Sequence, residues 1–577
     1  MVSSKVTKAL LGLKCLASLC AAATWNEEEK ERLDAGRQPN FVFIITDDQD
    51  LLLDSLDYQP LLKRHITDQG TTFSKHYCTI SICCPSRVSL LTGRAAHNTN
   101  VTDVSAPYGG YTKFLAEGWN DNYLPVWLQQ AGYNTYYTGK LMNGHSTTTY
   151  NKPFPAGWTG TNFFLDPATY IYYNVTMQQN QDPPKAYPGE YSTDLVTAAS
   201  LSFLDEAIPE GKPFFVGVAP IGPHSETINR KFSPAVPADR HKDLFPGLKV
   251  PRTVNFNPDT ASGASWIKTL QKLNQTVVDH LDEFYRLRIL ALQAVDELVD
   301  SIVKRLEESP EVLENTYIIY TTDNGFHVGQ HRLAPGKTCP IEEDLNIPFI
   351  IRGPGVEKGK MVSVPTSHTD IAPTIFELAG IPLQDDFDGS PMPVTKAQQE
   401  AVKAYKPEHV NIEFWGRSIP EGVSPEDGWG FSNGNEGYDL AYTVWCSNEH
   451  ELYEMKSDPG QMTNLYETSN KGNHSIYGWE AQKLISRLDA LLLTLKSCKG
   501  VSCRRPWSAL HPKGDVLSLE QAMDSKFDQF YAEGQDKVSF SACVEGYITD
   551  YEGAMESKPF LEEYYGVPRQ PRWEDWT

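Results

Sequence analysis

Asn40-Phe41-Val42-Phe43-Ile44-Ile45-Thr46-Asp47-Asp48-Gln49-Asp50 is a short apolar run closed by acidic residues. A run of this length, without alternation, reads as a strand buried on both faces. Its acidic residues lie at the carboxyl end, where open α/β sheets gather their ligands. Asp47 and Asp48 are adjacent, so only a turning backbone aims both at one ion. Their hard oxygens suit Ca2+ or Mg2+. The competing reading is a solvated turn with helix-capping aspartates. A second stretch has the same form: Thr316-Tyr317-Ile318-Ile319-Tyr320-Thr321-Thr322, then Asp323-Asn324-Gly325. It is a strand that ends in a turn with oxygen ligands at its mouth.

Between these strand ends lies Cys83-Cys84-Pro85-Ser86-Arg87-Val88-Ser89-Leu90-Leu91-Thr92-Gly93. Taken alone, it is a buried cysteine before a proline-led helix start. The pattern C-x-P-S-R followed by Leu-Thr-Gly resembles the signature of the type I sulfatases. The resemblance implies that Cys83 is oxidised to formylglycine, an aldehyde, by a formylglycine-generating enzyme. The chemistry is coherent. A sulfate ester shields its sulfur with negative oxygens, so cleavage needs a strong nucleophile and charge neutralisation. A hydrated aldehyde offers two hydroxyls on one carbon, one to attack sulfur and one to rebuild the aldehyde. A divalent cation helps the attacking oxygen ionise. Arg87 supplies a planar cation with several donors.

The same family places further residues on this chain. The resemblance puts the first metal carboxylates at Asp47 and Asp48 and completes the shell with Asp323 and Asn324. Residues 123–143 read as a helix, a stop at Gly132 and a strand over 133–138, followed by Gly139-Lys140. Sulfatases carry a sulfate-contacting lysine in this turn, which implies that role for Lys140. Many add a histidine two residues later; here Met142 stands there, and Asn143 and His145 are the candidates for its role. The turn is closer to the glucosamine 6-sulfatase branch. The strand over 212–218 runs into Ala219-Pro220-Ile221-Gly222-Pro223-His224. His224 resembles the family histidine beside the leaving-group oxygen, a task suited to a side chain that carries a proton near neutral pH. Lys337, in Gly336-Lys337, matches the second sulfate-binding lysine. His327 and His331 rank below His224.

Elsewhere the pattern is structural. Residues 153–191 read as a loop-rich insertion walling the active site. Residues 277–308 have helical periodicity, and Asp296 within them is assigned a structural role. A central strand is expected over 346–356 and a helix over 367–381, with His368 and Asp370 joining helix to sheet. Residues 442–445 and 451–455 read as antiparallel strands, and residues 451–466 resemble the sulfatase C-terminal hairpin, which implies a turn on Asp458-Pro459-Gly460. A helix over 479–496 should pack on that small sheet.

The chain of 577 residues is 40% apolar and 11% aromatic, enough for a large core. A net charge of −23 argues against nucleic-acid binding. Lys5 and Lys8 precede an apolar run that ends in Ala21-Ala22-Ala23, which reads as a secretory signal peptide over 1–23. A charged linker follows over 24–39. No later stretch is long and apolar enough for a membrane anchor. Sequons at Asn100, Asn174, Asn274 and Asn473 point to a glycoprotein that is secreted or held in a lysosome-like compartment. With Cys83 and the leader set aside, Cys78, Cys84, Cys339, Cys446, Cys498, Cys503 and Cys543 remain. The number is odd, so at least one stays free; Cys498 and Cys503 are close enough to staple a loop.

The resemblance, which covers about residues 40–495, implies an α/β fold, an alkaline-phosphatase-like three-layer sandwich over 40–390, with a smaller C-terminal α+β subdomain and tail over 391–577. The expected activity is hydrolysis of aryl or carbohydrate sulfate esters. Cys83, Arg87, Lys140, His224 and Lys337 form the catalytic set, and Asp47, Asp48, Cys83, Asp323 and Asn324 line the Ca2+ site, with Mg2+ as the alternative ion. An N-acetylglucosamine-6-sulfatase is the narrower form of this reading. The rivals are a phosphodiesterase or phosphonate hydrolase on the same fold, and a secreted binding protein without turnover.

Overall fold

The computed structural model describes residues 38–228, 231–402, 407–416, 428–434, 438–469 and 475–561. The expected signal peptide, nearly all of the linker and the Asn473 sequon lie outside the described residues.

Strand β1 (Asn40–Thr46) is buried along its whole length. It lies inside a ten-stranded mixed sheet that also contains β2 (Thr71–Phe73), β3 (Asn134–Gly139), β4 (Gly160–Phe164), β5 (Thr176–Gln179), β6 (Lys185–Ala186), β7 (Phe214–Ala219), β8 (Thr316–Thr322), β9 (Phe349–Arg352) and β10 (Lys360–Val362), in the order β10-β2-β9-β8-β1-β7-β3-β4-β5-β6. The central strands β8, β1, β7, β3 and β4 are parallel. Successive side chains of a strand point to opposite faces, and β1 accordingly feeds two cores. Val42 and Ile44 join a cluster with helices α4 (Ser192–Glu210) and α5 (Gln275–Glu307). Phe41, Phe43 and Ile45 join another with α1 (Cys83–Thr92), α3 (Leu124–Gln130) and α6 (Ile371–Leu378). Each such side chain contributes roughly 1.5–3 kcal/mol when removed from water. The result is three layers, as the family resemblance implied.

Several local expectations also hold. Asp296 accepts from Leu61 N at 3.0 Å and Leu62 N at 2.6 Å, so it anchors a neighbouring helix start. His368 spans Ser86 Oγ and Thr322 O, and so ties α1 to the sheet. The insertion over 153–191 differs from expectation. It contains β4, β5 and β6, which extend the sheet edge. These strands are short and lack alternation, so periodicity could not reveal them.

The C-terminal part has its own antiparallel sheet of β11 (His409–Phe414), β12 (Gly428–Gly434), β13 (Asp439–Trp445) and β14 (His450–Glu454). Helix α7 (Ala481–Leu495) packs on it, with Leu484, Leu488 and Leu491 against Tyr442, Val444 and Leu452. The expected Asp-Pro-Gly hairpin is not there: β14 pairs backward with β13, and among the described residues no strand lies over 455–469. Asp458 instead accepts from Met462 N and Thr463 N, and Gln461 crosses to Glu342 N and Pro340 O. Disulfides join Cys446 to Cys543 and Cys498 to Cys503, while Cys78, Cys84 and Cys339 are free and buried with Cys83.

One buried ion pair links the two sheets. Glu413 of β11 accepts from Ala96 N at the start of α2 (Ala96–Thr99) and from His97 Nδ1 at 2.7 Å. His97 Nε2 meets the Cys498 carbonyl at 2.7 Å. A carboxylate and a carbonyl only accept, so both ring nitrogens carry protons. Burial opposes that charge, but Glu413 outweighs it and holds His97 up at about 9. The folded value exceeds the ordinary 6.5, so the pair stabilises fully below pH 6.5 and its contribution is lost as pH rises through 9. The stability difference between wild type and His97→Gln, from urea unfolding, should be largest below pH 6.5 and shrink towards zero above pH 9.

Candidate active site

Parallel register assembles the site. Thr46 of β1 pairs with Thr322 of β8, so Asp47 and Asp323 leave the sheet side by side. On the other side of β1, β7 leads to His224, and β3 beyond it leads to Lys140. Four neighbouring strands therefore present their carboxyl ends to one place. Asp48 has φ 66°, the left-handed turn needed for two adjacent aspartates to face one point. Gly139 has φ 97°, and a Cβ there would stand 2.0 Å from Ala219 O, so only glycine lets β3 deliver Lys140.

Helix α1 brings the remaining groups. Cys83 is its first residue and Arg87 lies one turn on, on the same face. The Cys83 thiol lies 3.6 Å from Asp47 Oδ1, and Lys337 Nζ donates to its sulfur at 3.1 Å. Arg87 Nε donates to Asp323 Oδ2 at 2.7 Å, and its Nη1 to Lys140 O at 2.7 Å. Lys140 Nζ donates to Asp47 Oδ2 at 2.6 Å, and Lys337 Nζ to Asp48 Oδ1. His224 places Nε2 3.5 Å from Asp48 Oδ2 while its Nδ1 donates to Ser225 O at 2.6 Å. Asn324 Nδ2 donates to Asp48 Oδ1 at 2.7 Å. All nine residues named from the sequence thus meet in one cluster, and all are buried.

Three carboxylates face three cations here. Burial pushes the Asp323 carboxyl up, but Arg87, Lys140 and Lys337 hold it well below the usual range. Asp48 is likewise held low by Lys337 and His224 against burial. Burial pushes the Cys83 thiol up to about 12 despite Lys140 and Lys337. An unmodified Cys83 is therefore a protonated thiol at neutral pH and a weak nucleophile.

The oxygen set fits a hard divalent cation. Asp48 Oδ2 and Asn324 Oδ1 are buried without a hydrogen-bond donor. Such lone pairs are costly unless something fills them. Asp47, Asp48, Cys83 and His224 each offer an atom within 4.8 Å of the others. Carboxylate and amide oxygens of this kind suit Ca2+ or Mg2+ better than a thiophilic metal.

Other candidates lie elsewhere. His327 Nδ1 pairs with Asp344 at 2.7 Å, and His331 sits between Ser262 and Asn255. His145 is buried against Tyr111 and Phe163, and Met142 is in the core. Asn143 reaches the site only indirectly, by donating to Tyr170 Oη at 2.6 Å. Two neighbours went unnoticed in the sequence. Tyr170, from the aromatic insertion, stacks on His224. Arg288 of α5 donates to Asp48 O at 2.5 Å and lies 3.4 Å from Asp50 Oδ1. Its signal was a charge set in the apolar stripe of a helix.

Comparison with known proteins agrees with this geometry. The sulfatase family model matches residues 39–381, and the chain belongs to that family. It is a sulfuric ester hydrolase on the alkaline-phosphatase-like α/β fold. A second model, "N-sulphoglucosamine sulphohydrolase, C-terminal", matches residues 329–486. Among relatives, the sulfatase ppz1 of Metarhizium majus is 47% identical over 70% of this chain and 90% of its own. An arylsulfatase of Volvox carteri is 38% identical over 86% and 80%. The N-acetylglucosamine-6-sulfatase of Homo sapiens is 30% identical over 82% and 86%. A protein solved with its substrate D-glucosamine-2-N,6-O-disulfate shares the fold at TM-score 0.59 and 22% identity, covering 76% of this chain and 95% of that one.

Arg288→Met removes the donor that holds the Asp48 carbonyl and the countercharge of Asp50. Breaking such a buried pair should cost about 3–5 kcal/mol in urea unfolding.

Proposed function

We propose that the site cleaves aryl or carbohydrate sulfate esters with formylglycine made from Cys83 and a Ca2+ ion held by Asp47, Asp48, Asp323 and Asn324. The observation that carries this reading is the meeting of Cys83, the oxygen set and two lysines in one buried cluster. The high thiol pKa supports it, because an unmodified Cys83 has no thiolate to offer. Hydrated formylglycine would supply the attacking hydroxyl and a second hydroxyl for regeneration. Bound Ca2+ would neutralise sulfate charge and favour ionisation of that hydroxyl; its tolerance of six to eight oxygen ligands suits this set better than the octahedral demand of Mg2+.

The side chains of this protein do the rest. Lys140 and Lys337 sit on carboxylates of the cation site and can contact sulfate oxygens beside it. Arg87 holds Asp323 and the Lys140 carbonyl, so it fixes the direction of both. Ser225 O holds Nδ1–H of His224 and leaves Nε2 to carry a proton to the departing alcohol oxygen. Sugar sulfates are favoured as natural substrates by the likeness to N-acetylglucosamine-6-sulfatase over most of both chains.

Maturation in the secretory pathway is part of the same reading. Two disulfides support it. Asn174 and Asn274 are exposed, and each engages its side-chain oxygen, accepting from Gly189 N and Val277 N respectively.

Mass spectrometry of the peptide spanning Cys83, on protein from its native source, should find the aldehyde. Cys83→Ala should abolish turnover of p-nitrophenyl sulfate with the fold unchanged; wild-type rates in that variant would end the proposal. Asp323→Ala should weaken Ca2+ binding in titration calorimetry by at least about tenfold, on the order of 1.4 kcal/mol. Activity indifferent to both chelation and this substitution would remove the metal from the mechanism.

A further inference from the structure

Tyr170 lies between β4 and β5, outside every motif that identified the site. Its side chain nevertheless touches both of the groups assigned to opposite ends of the scissile S–O bond. The ring stacks on His224 with centroids 4.2 Å apart and planes inclined by 26°. Lys140 Nζ stands 4.7 Å from the centre of the same ring. The phenol oxygen accepts from Asn143 Nδ2 at 2.6 Å, one turn of chain beyond Lys140. The Tyr170 carbonyl accepts from Thr227 N at 3.0 Å, just beyond His224. Tyr172 adds a hydroxyl that donates to His224 O at 2.7 Å.

We propose that Tyr170 is a positioning residue, whose ring aims His224 Nε2 at the leaving-group oxygen and holds Lys140 in place beside it. The inference rests on the roles of His224 and Lys140 given above. Ser225 O fixes one nitrogen of the imidazole but leaves the ring plane free to tilt about that hydrogen bond. A flat aromatic surface at stacking distance removes the tilt. The ring quadrupole attracts the Lys140 ammonium, so one rigid group sets the spacing of two functional ones. Asn143 donates to the phenol oxygen, a further tether beside the stack that positions the ring. Met142 lies inside the core. The next residue serves the site through Tyr170 instead.

Proton delivery matters most when the departing oxygen is strongly basic. The test is a series of para-substituted phenyl sulfates, from p-nitrophenyl to p-methylphenyl, hydrolysed by wild type, Tyr170→Leu and Tyr170→Phe, with thermal unfolding measured alongside. For Tyr170→Leu, kcat should fall about threefold on p-nitrophenyl sulfate and about a hundredfold on p-methylphenyl sulfate, within the usual range for acid catalysis. KM should change little, and Tyr170→Phe, which keeps the ring, should stay within about threefold of wild type on both, because the stack is retained. An equal loss on all esters, or none, would overturn the inference, since a merely structural role leaves leaving-group sensitivity unchanged. Tyr170→Met takes the place of a leucine variant that does not fold. A wild type that hydrolyses none of these esters would instead overturn the aryl-sulfate part of the proposed function, and the fall in kcat of Tyr170→Leu against Tyr170→Phe is then read on glucosamine 6-sulfate, whose leaving oxygen is strongly basic.

Discussion

Three carboxylates are buried at the mouth of four parallel strands, and everything around them exists to make that tolerable. Charges of one sign cannot be taken out of water together without partners. Arg87, Lys140 and Lys337 supply the countercharge from a helix, a strand end and a distant loop. The sheet supplies the convergence, because parallel register puts Asp47 beside Asp323 and aligns the chains leading to His224 and Lys140.

That arrangement is held from outside by groups that do no chemistry. Arg288 reaches from α5 to the backbone of Asp48, and its guanidinium lies 4.1 Å from the centre of the Phe326 ring. His368 binds Ser86 and the carbonyl of Thr322, so the start of α1 cannot drift from the end of β8. Gln461 and the His97–Glu413 pair bring the C-terminal sheet against the large one. The edge of the main sheet built by β4 and β5 carries Tyr170 into contact with His224 and Lys140. An aromatic-rich segment without periodicity thereby becomes a wall of the site.

The two acidic strand ends and the long helix expected over 277–308 were legible as local patterns of polarity, whereas the reading of C-x-P-S-R and the three-layer architecture came with the family resemblance those residues carry. Adjacent aspartates demanded a turning backbone, and Asp48 provides it. Asp458-Pro459-Gly460 looked like a hairpin because turn chemistry is local, yet whether a strand follows depends on a partner that β13 had already taken. Tyr170 and the strands of the insertion were invisible for the same kind of reason, and Arg288 showed only as a charge in the apolar stripe of its helix. Nothing in their immediate neighbours says what they will face, since their partners lie tens to hundreds of positions away and are met only when parallel strands close the sheet.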